Sequence, residues 1–207
     1  MNKLSVIALL AIFGLGGCSS GCGAMKRLMY ESPGRDDWQQ PGKVVAALGL
    51  EAGQVVADLG SGGGYFTFPM AEVVGRTGHV YAVDVDTSLL AYVASQSEKR
   101  DLPQIETILA PEDGLGLADG SVDLIFLSNV FHHLPNTQTY FRNARSTLRA
   151  EGRVAVVEVR EAGWLGNHAT PPEEIRATFE AAGYELAEAL DFLEYQSFQI
   201  FRLAPDA

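Results

Sequence analysis

Val55-Val56-Ala57-Asp58-Leu59 is a short apolar run that breaks on Gly60-Ser61-Gly62-Gly63-Gly64 and passes into a stretch with apolar residues at helical spacing, Tyr65 to Val74. A buried strand, a tight glycine turn and a helix, in that order, open a βαβ unit. Such a unit needs a parallel neighbouring strand and helices over both sheet faces. The rest of the chain supplies them. Val80–Val83, Ile105–Leu109, Val122–Leu127 and Arg153–Val159 read as further strands, and Ser88–Lys99, Thr137–Arg149 and Pro172–Ala182 as helices. These strands lack polar alternation, the mark of a sheet covered on both sides. Leu186–Leu190 and Gln196–Leu203 have only a short connection and read as an antiparallel hairpin at one edge. The expected fold is α/β: a doubly wound, mainly parallel seven-stranded sheet ending in that hairpin.

The glycine loop has chemical content beyond its turn. Glycine lets backbone N–H groups approach a ligand, and the helix that follows points its positive end at the loop. The dinucleotide spacing G-x-G-x-x-G would put its last glycine where Tyr65 stands, which counts against a nicotinamide-dependent oxidoreductase. An acid, Asp58, precedes the first glycine by two residues. A second acid, Asp84, with Val85 beside it, closes the second strand, where a carboxylate can accept bonds from both hydroxyls of a ribose. Glu112-Asp113 follow the third strand, and Ser128-Asn129-Val130-Phe131-His132-His133-Leu134 follows the fourth.

The pattern D-x-G-x-G-x-G at Asp58–Gly64 resembles motif I of class I S-adenosylmethionine (SAM)-dependent methyltransferases, in the type 11-like group. The resemblance covers about residues 36–203 and implies a Rossmann-like fold with SAM as cofactor. It implies that Asp58 helps to hold the SAM amino group and that Gly60, Ser61, Gly62, Gly64 and Tyr65 wrap its methionine part and ribose. Asp84 and Val85 would meet the ribose, Glu112 or Asp113 the adenine amino group, and Ser128 and Asn129 would line the cofactor and open onto the acceptor. Trp38 either covers the cofactor or anchors packing.

Methyl transfer asks the protein to align an acceptor, exclude water and, for a weak nucleophile, remove a proton. His132 and His133 stand where a base would be useful, and a loop-ordering hydrogen bond is the other role open to His133. His168 could join them only in a thin three-histidine cluster, so no metal is assigned. Tyr140 and Trp164 are either walls of an acceptor pocket or packing residues. The leading expectation is a methyltransferase acting on a small-molecule or lipid-like acceptor. The alternative is a lipoprotein that binds SAM or another nucleoside without turnover. The net charge of −11 repels phosphate backbones, so nucleic acid is not an expected partner.

The first residues carry a separate signal. Lys3, an apolar run from Leu4 to Leu15 and Gly16-Gly17 precede Cys18. The run is about a dozen residues, short of the roughly 20 that span a bilayer. Leu15-Gly16-Gly17-Cys18 resembles the lipobox of bacterial lipoproteins, which implies acylation of Cys18 and a lipid anchor in the cell envelope. The expected organisation is a signal peptide over 1–17, a lipidated tether over 18–35 and the methyltransferase domain over 36–207. A start at Met25 would instead make the protein cytoplasmic. No oligomeric state is expected from the sequence.

Overall fold

The computed structural model describes residues 34–161 and 169–205; Cys18, Trp164 and His168 lie outside them. The described strands are β1 (Val55–Leu59), β2 (His79–Asp84), β3 (Ile105–Leu109), β4 (Val122–Ser128), β5 (Leu148–Val159), β6 (Tyr184–Leu190) and β7 (Gln196–Leu203). They form one sheet in the order β3-β2-β1-β4-β5-β7-β6. The first five are parallel, and β7 runs antiparallel to both β5 and β6. This is the expected Rossmann-like sheet with its C-terminal hairpin.

Neighbouring residues of each central strand serve opposite faces. Val56, Leu124, Phe126, Ala155 and Val157 join one core with α2 (Pro41–Ala47), α3 (Thr67–Val74) and α4 (Thr87–Lys99). Ala57, Ile125, Leu127, Val154 and Val156 join the other, beneath α5 (Thr137–Ala144) and α6 (Pro172–Ala181). Two buried faces explain why the strands read as unbroken apolar runs, each large side chain contributing about 1.5–3 kcal/mol on burial. Helix ends follow local chemistry. Asp86 caps α4 by accepting from the Ser88 and Leu89 backbone N–H groups at 2.9 and 3.4 Å, and Pro171-Pro172 opens α6.

Three segments differ from the sequence expectation. Residues 35–47, where no helix or strand is expected from the sequence, form α1 (Arg35–Gln39) and α2, joined at Gln40 with φ 47°. Val44 and Val45 of α2 and Leu48 just past it are buried, while Trp38, Ala46 and Ala47 are not, so the apolar contacts are too sparse to show as periodicity. Helix α3 starts at Thr67 instead of Tyr65, because the glycine turn continues through Tyr65 and Phe66. The third is the helix expected over Thr137–Arg149, which ends at Ala144. A 3-10 turn follows, and β5 begins at Leu148. The N–H groups of Gly120 and Ser121 take the carbonyls of Ser146 and Thr147 at 2.8 and 2.9 Å. Leu148 then pairs with Val122 at the sheet. Residues 150–152, between that expected helix and the expected strand Arg153–Val159, lie within β5, whose register shifts between Val122↔Leu148 and Leu124↔Arg153.

From β1 the chain builds outward through β2 and β3, then returns to lay β4 on the other side of β1. That reversal leaves a crevice beyond the carboxyl ends of β1 and β4, the place where open α/β sheets bind ligands.

Candidate active site at the carboxyl ends of the strands

The glycine turn is held against β2 from below. Gly60 N–H and Ser61 N–H both donate to the Val83 carbonyl, at 2.7 and 3.2 Å, and Gly64 N–H donates to Ser61 O at 2.9 Å. Gly60, Gly62 and Gly64 all have positive φ, at 71°, 54° and 85°. They differ in surroundings. A Cβ on Gly60 would stand 2.2 Å from Val130 Cγ2 and one on Gly64 2.5 Å from Phe68, whereas one on Gly62 would meet nothing within 4 Å. Gly60 therefore allows the β4 loop to lie on the turn, while Gly62 opens onto free space. Gly60→Ala is expected to destabilise the protein by about 2–3 kcal/mol through strain and overpacking, and Gly62→Ala by about 1–2 kcal/mol through strain alone. Denaturant midpoints check the first difference. SAM titration checks the second, because only at Gly62 does the new methyl enter open space.

Two acids flank this turn. Asp84 is 8% exposed and accepts from Gly62 N–H through Oδ2 at 2.8 Å and from Asp86 N–H through Oδ1 at 2.9 Å. Each oxygen has a further lone pair to offer a hydroxyl. Asp58 is 3% exposed and accepts from Thr67 Oγ1 at 2.5 Å. Burial pushes its carboxyl up to about 7 and the Asp84 charge adds to the rise, against the Thr67 hydrogen bond and the Arg35 charge. Ser61 Oγ is buried with no hydrogen-bond partner among the described residues. Two acids, an orphaned hydroxyl and an open turn suit a polar, positively charged ligand better than a diphosphate, which both acids would repel.

Helix α1 reaches this turn from the other side. Arg35 lies 3.7 Å over the Tyr65 ring, and the Tyr65 hydroxyl donates to Asp36 at 2.5 Å. Gln39, fully buried, donates to Ser128 Oγ at 2.8 Å, and Arg35 Nε donates to Gln39 Oε1 at 2.5 Å. Trp38 is half-buried in the same helix. Asn129, in the left-handed region at φ 56°, accepts from the buried Gln196 at 2.8 Å. Val85 is 77% exposed beside Asp84. Glu112 and Asp113 are exposed in the loop after β3, which leaves the sheet where Ala110 N–H donates to Asp84 O at 2.9 Å. Tyr140 packs in the core, and its hydroxyl donates to Gly114 O at 2.7 Å, fastening that loop to α5.

The histidines follow in the 3-10 turn Phe131–His133. His133 is exposed and its ring lies 4.0 Å from that of His132. His132 Nδ1 is 2.9 Å from Oε1 of Glu158, a carboxyl with no exposed surface near the end of β5. The sequence reading passed over Glu158, although a lone acid in the apolar run 154–159 was its visible signal. It passed over Thr67 and Gln196 as well; these carry no motif and are recognisable only by what they touch. Among the described residues no group of three or more His, Cys, Asp or Glu could hold a metal ion.

Fold and acid-flanked turn together define a nucleoside-binding protein of Rossmann-like architecture. Comparison with known proteins narrows this. The profile of a methyltransferase domain matches residues 50–199. The arsenite methyltransferase of Halobacterium salinarum is 28% identical over 203 residues, covering 86% of this chain and 52% of that protein. The ubiquinone/menaquinone biosynthesis C-methyltransferase UbiE of Klebsiella pneumoniae is 28% identical over 111 residues, covering 53% of this chain and 44% of its own length. The chain thus spans about half the length of these relatives. Among solved structures, a SAM-dependent methyltransferase from Aquifex aeolicus superposes with a TM-score of 0.78 at 24% identity, over 88% of this chain and 98% of that one. The chain belongs to the methyltransferase-domain family, whose methyl donor is S-adenosylmethionine.

Proposed function

We propose that this protein methylates a small-molecule or lipid-like acceptor from a lipid-anchored position in the bacterial cell envelope. The observation that carries the reading is the pair of buried acids, Asp58 and Asp84, about a glycine turn whose middle position is open. Bound there, SAM supplies a methyl group on a sulfonium, a good leaving group. Asp58 would hold the ammonium of its methionine part and Asp84 the ribose hydroxyls. Ser61 Oγ, which has no hydrogen-bond partner among the described residues, would gain one. Tyr65 and the backbone of Gly60, Gly62 and Gly64 would wrap the chain between, Val85 would meet the ribose beside Asp84, and the exposed Glu112 or Asp113 would meet the base. Ser128 and Asn129, tied to Gln39 and Gln196, would form the floor between cofactor and acceptor.

The acceptor is assigned by exclusion and by charge. Arsenite, the acceptor printed for the archaeal relative, is not carried over. Arsenic(III) is a soft centre of the kind thiolates bind, and cysteine occurs in this sequence only at 18 and 22. The net charge of −11 disfavours a polyanionic acceptor. Lipid attachment at Cys18 would keep the site near membrane-borne acceptors.

Calorimetric titration with SAM and with S-adenosylhomocysteine tests the cofactor site. Asp84→Ala is expected to weaken both by about 100-fold, since it removes hydrogen bonds to two hydroxyls and the anchor of Gly62. Equal binding by wild type and variant would move the ribose elsewhere. No binding by the folded wild type would sink the reading.

A further inference from the structure

The loop that joins β3 to β4 contains two Asp-Gly steps, Asp113-Gly114 and Asp119-Gly120. Glycine has no Cβ to screen its backbone nitrogen, so that nitrogen can attack the side chain of an aspartate before it. The fold treats the two steps differently. At the second, Ser146 holds both reacting groups. Gly120 N–H donates to its carbonyl at 2.8 Å, and its hydroxyl donates to Asp119 Oδ1 at 2.6 Å. At the first, neither group is held. Asp113 is exposed, and neither its carboxylate nor the Gly114 N–H has a hydrogen-bond partner among the described residues. A Cβ built on Gly114 would meet nothing within 4 Å, so there is room for a ring to close there. Helix α5 holds only the two carbonyls, Asn143 Nδ2 donating to Asp113 O at 2.9 Å and the Tyr140 hydroxyl to Gly114 O at 2.7 Å. The Asn143 bond polarises the peptide group whose nitrogen must lose its proton, and so favours that loss.

We infer that Asp113 is a modification site, at which the folded protein converts aspartate to isoaspartate spontaneously while Asp119 is protected. The Gly114 nitrogen gives its proton to solvent and bonds to Cγ of the protonated Asp113 carboxyl. The Cγ–OH bond breaks, its oxygen takes a proton and leaves as water, and a cyclic succinimide remains. Water then adds to the main-chain carbonyl carbon of residue 113. The bond from that carbon to the Gly114 nitrogen breaks, and the nitrogen takes up a proton. One water leaves and one enters, and nothing is oxidised or reduced. The main chain now runs through Cγ and is one methylene longer, and the carbonyl that Asn143 held has become a carboxylate. The change falls on the loop that the proposed function sets against the base of SAM, though it needs no cofactor to occur.

The test incubates the full chain at neutral pH, folded and in denaturant, and follows isoaspartate at each step by fragmentation mass spectrometry of proteolytic peptides. In the folded protein Asp113 is expected to convert faster than Asp119 by about tenfold or more, since ring closure at Asp119 must first break two ordinary hydrogen bonds to Ser146. In denaturant the two rates are expected to converge, because both steps are then the same dipeptide in an open chain. Gly114→Ala, which has room for its methyl group and no left-handed φ to strain, is expected to lose the product at residue 113. Equal rates in the folded protein would overturn the inference. So would a preference for Asp113 that persists in denaturant, undiminished product in Gly114→Ala, or no isoaspartate at residue 113 of the folded chain.

Discussion

Asp58→Asn is expected to make the ligand-free protein more stable at pH 8 and a poorer SAM binder at the same time. In the unfolded chain the carboxyl ionises near 3.8; in the folded protein burial holds it up to about 7. Between those values the unfolded state has released a proton that the folded state keeps, so stability falls as pH rises from about 4 to 7 and then levels. The full span of the shift corresponds to about 4 kcal/mol, an upper figure given the coupling to Asp84. Denaturant unfolding at pH 5 and pH 8 should show wild type losing about 2–3 kcal/mol more than Asp58→Asn across that interval, because the amide keeps the Thr67 hydrogen bond and has no charge to desolvate. Parallel curves would mean that Asp58 ionises as an exposed aspartate does. Binding should run in the opposite direction. A bound ammonium favours the ionised acid, so SAM affinity of wild type should rise with pH by up to about tenfold per unit below 7, with proton release seen as a buffer-dependent binding enthalpy. The asparagine variant should bind more weakly and without that slope. A site that destabilises the empty protein and is relieved by its ligand is the expected trade between stability and function.

What the sequence showed and what it hid divide along physical lines. Strands β1 and β2 were legible because both of their faces are largely buried, leaving short apolar runs bounded by turns. Asp58, the glycines and Asp84 were legible because they lie in order within one βαβ unit. The break in helix α5 at Ala144 was not, because it is set by the Gly120 and Ser121 N–H groups capturing the carbonyls of Ser146 and Thr147, an event some 26 residues away in sequence. The floor of the candidate site was hidden for the same reason. Gln39 meets Ser128 across 89 residues and Gln196 meets Asn129 across 67, and no local pattern marks a glutamine that is fully buried only in the folded chain. Glu158 falls between these cases. Its position in an apolar strand was readable, but its partner, His132 on the neighbouring strand's loop, required the β4–β5 pairing to be known.

Phe179→Ala is expected to cause the largest loss of stability of any change considered, and the reason joins the fold to the site. Phe179, with no exposed surface, projects from α6 into an aromatic cluster. Its ring stacks on Phe201 of β7 at 4.2 Å and 9°, lies 4.3 Å from Phe141 of α5, meets Tyr184 of β6 edge-on at 5.3 Å and approaches Phe131 at 6.2 Å. Truncation removes one ring and opens a cavity bounded by four others, which are too rigid to collapse into it. Phe→Ala at such sites costs about 3–5 kcal/mol, a large part of the 5–15 kcal/mol that holds a typical domain together. Phe179→Leu, which keeps most of the volume, should cost about 1.5 kcal/mol or less. Denaturant midpoints for the two variants measure the difference. Phe131 gives the effect its reach. Its ring belongs to this cluster while its backbone N–H is held by Glu158, so the turn carrying His132 is seated on the aromatic core. The leucine variant is therefore expected to remain folded with SAM affinity close to wild type, because the cofactor turn at Gly60–Gly64 packs on the opposite core through Phe66 and Phe68. Its His132 ring signal in the 15N-histidine-labelled protein should nevertheless broaden as the turn loosens. A loss of SAM affinity equal to the loss of stability would mean instead that the two faces of the sheet unfold as one unit and that the aromatic cluster has no separate hold on the histidine.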